Sequence, residues 1–554
     1  MRITKYISAI SCTALLLLGF TLTGCSMVGD DSETPIVDEG MEDTYIRLSI
    51  NAYGKALTRG AYDGERPYGG EDGDGTEAAR NNENNIDDIT IFIYNSTTGI
   101  NDAATTTIKF AKYFNNLKLS SSGTYTTAPL KLSSSTDAKK YIAASGDRIL
   151  IVANAGDLSS LTTLGAVREA TINRAWIANT DITKYSHFAM SSAYKDDGEI
   201  ELSHSGEYAD PFEAEVSVER VAARIDFSFS QDLGSVSRSP IVYPVEAVPG
   251  DEFHISHIRI VNASVAPAYA FKRTATAVNP SLEDVEYLGD ETYTKVEHSA
   301  TGTEYHIPTN YVVDPHTTDR KDGASISSET LVTWYGGSTL EESFNASFSS
   351  YDTYKVHSST DDSEVFTADG NHCFILGYVM ENTMDKSCVD GRVMTAIQIR
   401  GTYVPAKVYD YTDDAAKNYK EKVSSYTPGA TFYYYSNKTN PENSYAFISL
   451  TAANNFAAES TDDYEIGTYV NGICYYYVWI RHAMYDKDTD AASEHKSGNF
   501  PMEYGIVRNN IYRIYVDKVS KIGPAEPNPE IPDLIYSHLY IRDWRSRIHD
   551  DILL

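Results

Sequence analysis

Catalytic motifs are missing from this 554-residue sequence. It contains no Gly-x-Ser-x-Gly nucleophile motif, no His-Glu-x-x-His zinc motif and no phosphate-binding glycine loop. The 13 histidines are scattered, and the 78 Asp and Glu residues are too numerous for one acid–base pair to stand out. We therefore predict that the chain is not an enzyme and has no catalytic residue, metal or cofactor.

The residue whose spacing does indicate chemistry is Cys25. Residues 1–24 have the positively charged start and apolar run of a secretory signal. The run ends in Leu-Thr-Gly-Cys, which resembles the lipobox of bacterial lipoproteins, where the cysteine receives the lipid (palmitate) and becomes the N-terminus. The acidic stretch at 30–43 resembles the surface-export signal of Bacteroidetes lipoproteins. We predict an outer-membrane lipoprotein precursor; an ordinary signal peptide with a chance cysteine is the alternative.

Three further cysteines lie far along the chain, at Cys373, Cys388 and Cys474. Their odd number and the absence of a Cys-x-x-Cys pair argue against a zinc site. Cys373 and Cys388 either pair in an oxidising compartment or remain buried free thiols.

The composition favours an acidic all-β protein. The formal net charge is −32, which repels nucleic acid and anionic headgroups, so we exclude nucleic acid as a partner. The 42 tyrosines favour strands over helices. Apart from the leader, no stretch is long and apolar enough to span a membrane.

Residues 45–60 combine a strand with an exposed basic end. Ile46, Leu48 and Ile50 alternate with polar residues, as in a strand with one buried face. The segment ends at Arg59 and Gly60, before an acidic, glycine-rich loop. Removing such a strand would leave a groove that needs another strand.

The remaining chain reads as two tandem antiparallel β-sandwich domains with one minor helix. Apolar strand patterns recur throughout, the best helix candidate is 157–170, and a proline-rich connection lies at 230–252. We predict four regions after the signal. They are a lipidated tether with a removable first strand (25–59), an N-terminal domain (60–245), a C-terminal domain (246–522) and a terminal spacer with a strand (523–554).

The last segment offers a strand of its own. Four prolines in residues 523–532 predict an extended spacer of roughly 30 Å, at about 3.1 Å per residue. In the strand that follows, Ile535, Leu539 and Ile541 share one face and Trp544 lies on the other. We expect the spacer to hold this strand clear of its own domain, although a last strand folded back on its own sheet is the simpler alternative.

Several runs, taken in order, resemble the fimbrillins (type V pilins) of Bacteroidales, particularly the major subunit of the short fimbriae. The resemblance rests on the order of the runs and on the two ends of the chain, and it spans nearly the whole sequence. The lipobox is followed by the alternating strand that ends at Arg59. Between that strand and the terminal strand, the runs are IDDITIFIY, RILIVANAG, VSVERVAARIDF, YYYVWI and YGIVRNNIYRIYVDKVSKIG.

The resemblance implies a mechanism of assembly. An Arg-specific surface protease would cut after Arg59, with Arg66 and Arg80 as less favoured sites, and would free the subunit from its lipid. The C-terminal strand of a neighbour, docking through Ile535, Leu539, Ile541 or Trp544, would then fill the groove. Repetition would build a fibre at the cell surface that supports adhesion.

Two other roles remain open. Anchor and tip subunits share much of the pattern; an anchor would keep its lipid, and a tip would bind a partner. Alternatively, the chain is a monomeric surface lipoprotein that binds glycan or host protein through its loops.

Overall fold

The computed structural model describes residues 43–52 and 76–545, the second range with gaps of which the longest are 318–372 and 483–501. Nearly all of the regular structure in this part of the chain is β-strand, so the all-β prediction is confirmed. Most strand pairs in this part of the chain are antiparallel. The parallel ones are Thr44–Asn51 with Phe212–Arg220, Ala222–Ser228 with Asn510–Val519, Thr76–Ala78 with Ile535–Arg545, and Val408–Asp410 with Tyr445–Phe447.

The first sheet has nine strands and comes entirely from residues 44–220. They are β1 (Thr44–Asn51), β3 (Ile89–Asn95), β4 (Ile108–Phe114), β5 (Thr124–Thr126), β6 (Leu130–Ser133), β7 (Asp147–Ala153), β9 (Met190–Ser192), β10 (Gly198–Glu201) and β11 (Phe212–Arg220).

β7 explains why part of this sheet is buried on both faces. Its sequence is a nearly continuous apolar run, and Ile149 and Ile151 pack into one core while Leu150 and Val152 pack into another. The second core also receives Leu164 and Val167, from the short helix α1 (Leu164–Arg168).

A second sheet joins distant parts of the chain in the order β2-β31-β30-β12-β22. Its strands are β2 (Thr76–Ala78), β12 (Ala222–Ser228), β22 (Cys373–Met380), β30 (Asn510–Val519) and β31 (Ile535–Arg545). The chain passes from the first sheet to the second between Arg220 and Ala222. This change of sheet precedes the proline-rich connection that the sequence suggests as the domain boundary.

The C-terminal core lies among the second sheet and two further five-stranded sheets. One contains β13 (Ser237–Arg238), β14 (Ile241–Pro244), β15 (Glu252–Val261), β23 (Ala396–Val404) and β29 (Ile473–Trp479); the other contains β24 (Val408–Asp410), β25 (Lys422–Ser424), β26 (Phe432–Asn437), β27 (Tyr445–Phe447) and β28 (Tyr464–Tyr469). The helix α2 (Leu450–Ala457) contacts the latter sheet.

Short strands complete the described fold. They are β8 (Thr171–Ile172) with β16 (Ala268–Tyr269); β17 (Arg273–Ala275) with β18 (Val285–Tyr287) and β21 (Tyr311–Val312); and β19 (Tyr293–Glu297) with β20 (Glu304–Pro308).

The helix predicted over 157–170 is shorter than expected. It starts only after Thr163, whose side-chain oxygen accepts a hydrogen bond from the Ala166 N–H. Asp157 instead accepts a hydrogen bond from the nearby backbone N–H of Ser159, which is a turn geometry that competes with helix. The spacing of Leu158 and Leu161 reflects packing of a loop against the core rather than a helical face.

Candidate functional site

β1 lies inside the first sheet, between β11 on one side and β5 and β6 on the other. It runs parallel to β11, with Ile46 opposite Phe212, and antiparallel to β5, with Ile50 opposite Tyr125. We call the space that β1 occupies the β1 slot. Because strands on both sides pair with β1, the slot has two hydrogen-bonding edges.

The buried face of β1 carries the residues that the sequence analysis selected. Ile46, Leu48 and Ile50 are fully buried, and Ala52 joins them. They lie in the core that also contains Ile149 and Ile151 of β7, which we call the N-terminal core. A strand of alternating apolar residues therefore fills this part of the core, and its loss would expose both apolar surface and unpaired backbone groups.

Polar contacts hold the other face of β1 to its neighbours. Arg47 forms an ion pair with Glu213 of β11 at 2.9 Å, and Asn51 donates to the Glu215 carboxylate at 2.6 Å. On the opposite edge, the Leu48 N–H donates to the Thr127 hydroxyl at 3.0 Å. The strand is thus fixed in register on both sides.

The predicted processing residues lie mostly outside the described residues. This holds for Cys25, Arg59, Gly60 and Arg66. Arg80 is described and partly buried, and its backbone N–H donates to the Glu83 carboxylate at 2.7 Å. A protease needs an accessible segment, so the partial burial of Arg80 disfavours a cut at this residue.

Glu83, which follows Arg59 in the sequence, is completely buried. Arg224 of β12 donates to its carboxylate at 3.2 Å, and the Tyr378 hydroxyl donates at 2.7 Å. Burial opposes the charge on Glu83, but Arg224 and the Tyr378 hydrogen bond outweigh it, so the pKa of Glu83 lies below its ordinary value. Glu83 is therefore a buried carboxylate with its charge compensated.

The same arginine bridges two carboxylates. Arg224 donates through Nε and Nη2 to the two oxygens of Asp226, at 2.9 and 3.0 Å, while Arg513 of β30 approaches Asp226 at 3.5 Å. On β12, these charged residues alternate with Ala223, Ile225 and Phe227, which pack into the C-terminal core. One face of β12 is therefore apolar and the other carries buried charge.

Arg220 extends this network to the neighbouring backbone. It donates to the Glu83 carbonyl at 3.3 Å and to the Asn84 side-chain oxygen, and its own N–H donates to Asn509 at 3.2 Å. We call these residues together the buried charge cluster: Glu83, Asn84, Arg220, Arg224, Asp226, Tyr378, Asn509 and Arg513. The cluster connects Glu83 and Asn84, which follow Arg59 in the sequence, to strands from both halves of the protein.

Sequence reasoning did not identify the buried charge cluster. Glu83 and Asn84 lie in a polar stretch that has the composition of a loop. The runs VSVERVAARIDF and VRNNIYRIY support the fimbrillin resemblance, but they do not by themselves show which residues their arginines contact. A signal was nevertheless present, because arginines within apolar strands require buried acidic or carbonyl partners.

The C-terminal strand β31 pairs with its own chain. It is antiparallel to β30, with Ile535 opposite Val519, Leu539 opposite Ile514 and Ile541 opposite Tyr512. The expectation that the spacer keeps it clear of its own domain is therefore wrong for this monomer. The simpler alternative, a strand folded back on its own sheet, is the one observed.

In the described part of the chain, β30 pairs with one edge of β31 from Ile535 to Asp543. β2 contacts the other edge over three residues, including Glu77 opposite Trp544. The side chains of β31 lie outside the description, so the docking face chosen for Ile535, Leu539, Ile541 and Trp544 stays a prediction.

Cys474 is fully buried, and burial raises the pKa of its thiol to about 12. Since the thiolate is the reactive form, we expect iodoacetamide to leave Cys474 unmodified at pH 8 until the chain unfolds. Mass spectrometry of native and denatured protein would measure this, and rapid labelling of the native chain would contradict the burial. The prediction for Cys373 and Cys388 lies outside the description.

Within the described ranges, no group of His, Cys, Asp or Glu is placed to hold a metal ion. In the same part of the chain, the helices are too short and too polar to cross a membrane.

Residues 467–547, which include β29, β30 and β31, match a family model described as major fimbrial subunit protein type IV, fimbrillin, C-terminal. The resemblance to the fimbrillins that the sequence predicts is confirmed by this match. No curated protein sequence matches the chain significantly.

Solved structures of fimbrial proteins align with the chain at low similarity. The tip fimbrial protein Mfa3 of Porphyromonas gingivalis, with a C-terminal truncation, is 10% identical, with 91% of this chain and 100% of that chain covered and a TM-score of 0.34. The fimbrilin FimA of the same organism is 13% identical, with coverages of 91% and 98% and a TM-score of 0.31. These values are too low to transfer a function.

Proposed function

We propose that this chain, whose C-terminal region matches the fimbrillins, is a structural subunit of cell-surface fimbriae that polymerises by exchange of strands. The observation that carries the proposal is the position of β1. It is the first described strand, it lies in a two-edged slot, and in the sequence Arg59 stands between it and a segment that the buried charge cluster holds in place.

Export precedes assembly in this proposal. The precursor is a lipoprotein attached to the outer membrane through lipid on Cys25, and β1 fills the slot while the chain is inside the cell. An Arg-specific surface protease then cuts between Arg59 and Gly60. Because Glu83 and Asn84 remain bound to Arg220 and Arg224, the cut releases β1 without loosening the chain that follows it.

The C-terminal strand of a neighbouring subunit then enters the β1 slot. A strand with Ile535, Leu539 and Ile541 on one face replaces Ile46, Leu48 and Ile50 and restores the backbone hydrogen bonds of β11. The contact is head to tail, so it does not close on itself and produces a filament. Fimbrial anchor and tip subunits are the further partners.

Detachment of β31 is the cost of this exchange. The strand must give up its pairing with β30, and the three described residue pairs that it forms with β2, before it can reach a neighbour. Burial of its apolar residues in the β1 slot, at roughly 25 cal/mol per Å² of apolar surface, offsets that loss.

The experiment that tests this function is controlled proteolysis of the full precursor. We expect an Arg-specific protease to produce a new N-terminus at Gly60, followed by ladders on gels of unboiled samples. The variant Arg59→Gln should remain uncut there, and deletion of 533–554 should permit the cut and abolish the ladders.

The other outcomes separate the competing roles. A cut at Gly60 that yields monomers only would favour a tip subunit or a monomeric binding lipoprotein. An intact precursor that remains in the membrane would favour an anchor. Either result would contradict a polymerising subunit.

A further inference from the structure

A second feature of the chain lies far from the β1 slot, in the sheet that contains β24, β26 and β27. Here a cavity of about 480 Å³ opens beside helix α2. Eight described residues line it: Tyr409, Asp410, Tyr411, Tyr445, Phe447, Phe456, Glu459 and Ser460.

The aromatic rings form walls at steep angles to one another. Tyr409 lies at 88° to Tyr445, and Tyr411 lies at 90° to Phe456, with centroid distances of 5.5 and 5.7 Å. Tyr445 and Phe456 meet at 69°. Rings at such angles enclose a space from several sides, whereas a sugar-binding platform needs one flat exposed ring.

These rings are not simply part of the protein core. Phe447 is almost completely buried. The other four rings are only partly buried and pack against the edge of the small core that contains Phe447; they are Tyr409, Tyr411, Tyr445 and Phe456. Packing alone therefore leaves aromatic surface facing the cavity.

The charge in the cavity is negative. Glu459 contributes a carboxylate, and the eight described lining residues include no lysine, arginine or histidine. The Tyr411 hydroxyl donates to the Glu459 carboxylate at 2.9 Å, which orients that carboxylate beside the rings. Aromatic faces and carboxylates both attract cations, and a guanidinium group can stack on a ring while it donates to a carboxylate.

We propose that this cavity, which we call the aromatic box, binds an arginine side chain presented by a partner protein. The aromatic walls stack against the planar guanidinium, and the Glu459 carboxylate accepts its hydrogen bonds. The volume accommodates the guanidinium together with its aliphatic stem. This interaction is independent of strand exchange, so the aromatic box would act in a monomer and in a fibre alike.

The test uses the full chain and the probe N-acetyl-arginine amide, titrated by NMR. N-acetyl-citrulline amide is the matched ligand control, since it has nearly the same shape without the charge. We expect the arginine probe to bind with a dissociation constant at least tenfold lower than that of the citrulline probe, and added salt to weaken its binding.

Variants locate the binding. Glu459→Gln should weaken binding of the arginine probe at least fivefold, and Tyr445→Leu should also weaken it. Glu442→Gln, which removes an exposed carboxylate outside the cavity, is the matched control and should bind as the parent does. Melting temperatures of all variants check that the fold is retained, and Glu459→Gln, at an exposed position, provides the decisive comparison.

Three results would overturn the proposal. They are equal binding of the arginine and citrulline probes, unchanged binding of the arginine probe by Glu459→Gln, and no binding of the arginine probe at saturating concentration. Binding of methyl glycosides instead of the arginine probe would identify a glycan site and equally reject it.

Discussion

Replacing Arg224 by methionine is expected to lower the free energy of unfolding by about 3–5 kcal/mol. The substitution retains most of the side-chain volume but removes the guanidinium that contacts both Glu83 and Asp226. Both carboxylates are completely buried, so each loses a charged partner without gaining water. Denaturant unfolding of parent and variant at pH 7 measures the difference.

The loss should depend on pH in a defined direction. The pKa of Glu83 is depressed in the folded chain, so its stabilising contribution is present above its unfolded value and is lost as pH falls through the folded value. Without Arg224, protonation of Glu83 becomes less costly. The difference between parent and Arg224→Met should therefore narrow in acid.

Two controls bracket this prediction. Arg224→Lys keeps the charge and should lose less stability than the methionine variant, although it cannot reproduce the two-pronged contact with Asp226. Arg47→Met breaks a half-exposed pair with Glu213 and should cost no more than about 1 kcal/mol. Equal losses at positions 47 and 224 would contradict the role assigned to the buried charge cluster.

The second large effect is expected at Leu48, which is fully buried in the β1 slot. Leu48→Ala should destabilise the uncut precursor by about 2–5 kcal/mol, since it leaves a cavity in the N-terminal core. It should also let strands exchange before proteolysis, because β1 competes less well for its own slot. Thermal melts and gels of the unboiled precursor measure the two consequences.

Leu150→Ala provides the matched control. Leu150 is equally buried, but it lies on β7, which remains in the subunit after the cut. Its replacement should destabilise the precursor and the cut subunit alike. Leu48→Ala should affect only the precursor, since the cut removes that residue. A cut subunit destabilised by Leu48→Ala would show that β1 is never released.

Strands with a strong local pattern were predictable from the sequence. The alternation of Ile46, Leu48 and Ile50 located β1 and its buried face, and the continuous apolar run at 148–154 located a strand covered on both sides. The two alanines at 222–223 are compatible with either a short helix or a bend between strands, and the structure has a bend between β11 and β12.

Elements that depend on distant partners were not predictable in the same way. Residues 446–451 have the apolar pattern of a single strand, but β27 ends at Phe447 and α2 begins at Leu450, where the Ser449 side chain caps the helix. Glu83 looked like a loop residue because its partners Arg224 and Tyr378 lie far along the chain. The placement of β31 also required the pairing edge of β30, which local sequence does not reveal.

The most direct test of strand exchange is a disulfide scan between subunits. Glu213→Cys places a thiol on the β11 edge of the β1 slot, where Glu213 is partly exposed, and a second chain carries one cysteine at each position from 535 to 541 in turn. Both chains begin after Cys25 and have serine at positions 373 and 388, while buried Cys474 remains.

After cleavage at Arg59, we expect a disulfide between the two chains only at the position of the scan that lies opposite Glu213→Cys, because a disulfide requires Cα atoms less than about 7 Å apart. Before cleavage, when β1 occupies the slot, none should form. Disulfides that form equally in uncut chains, or a cut subunit that forms none, would contradict the exchange of β1 for the C-terminal strand.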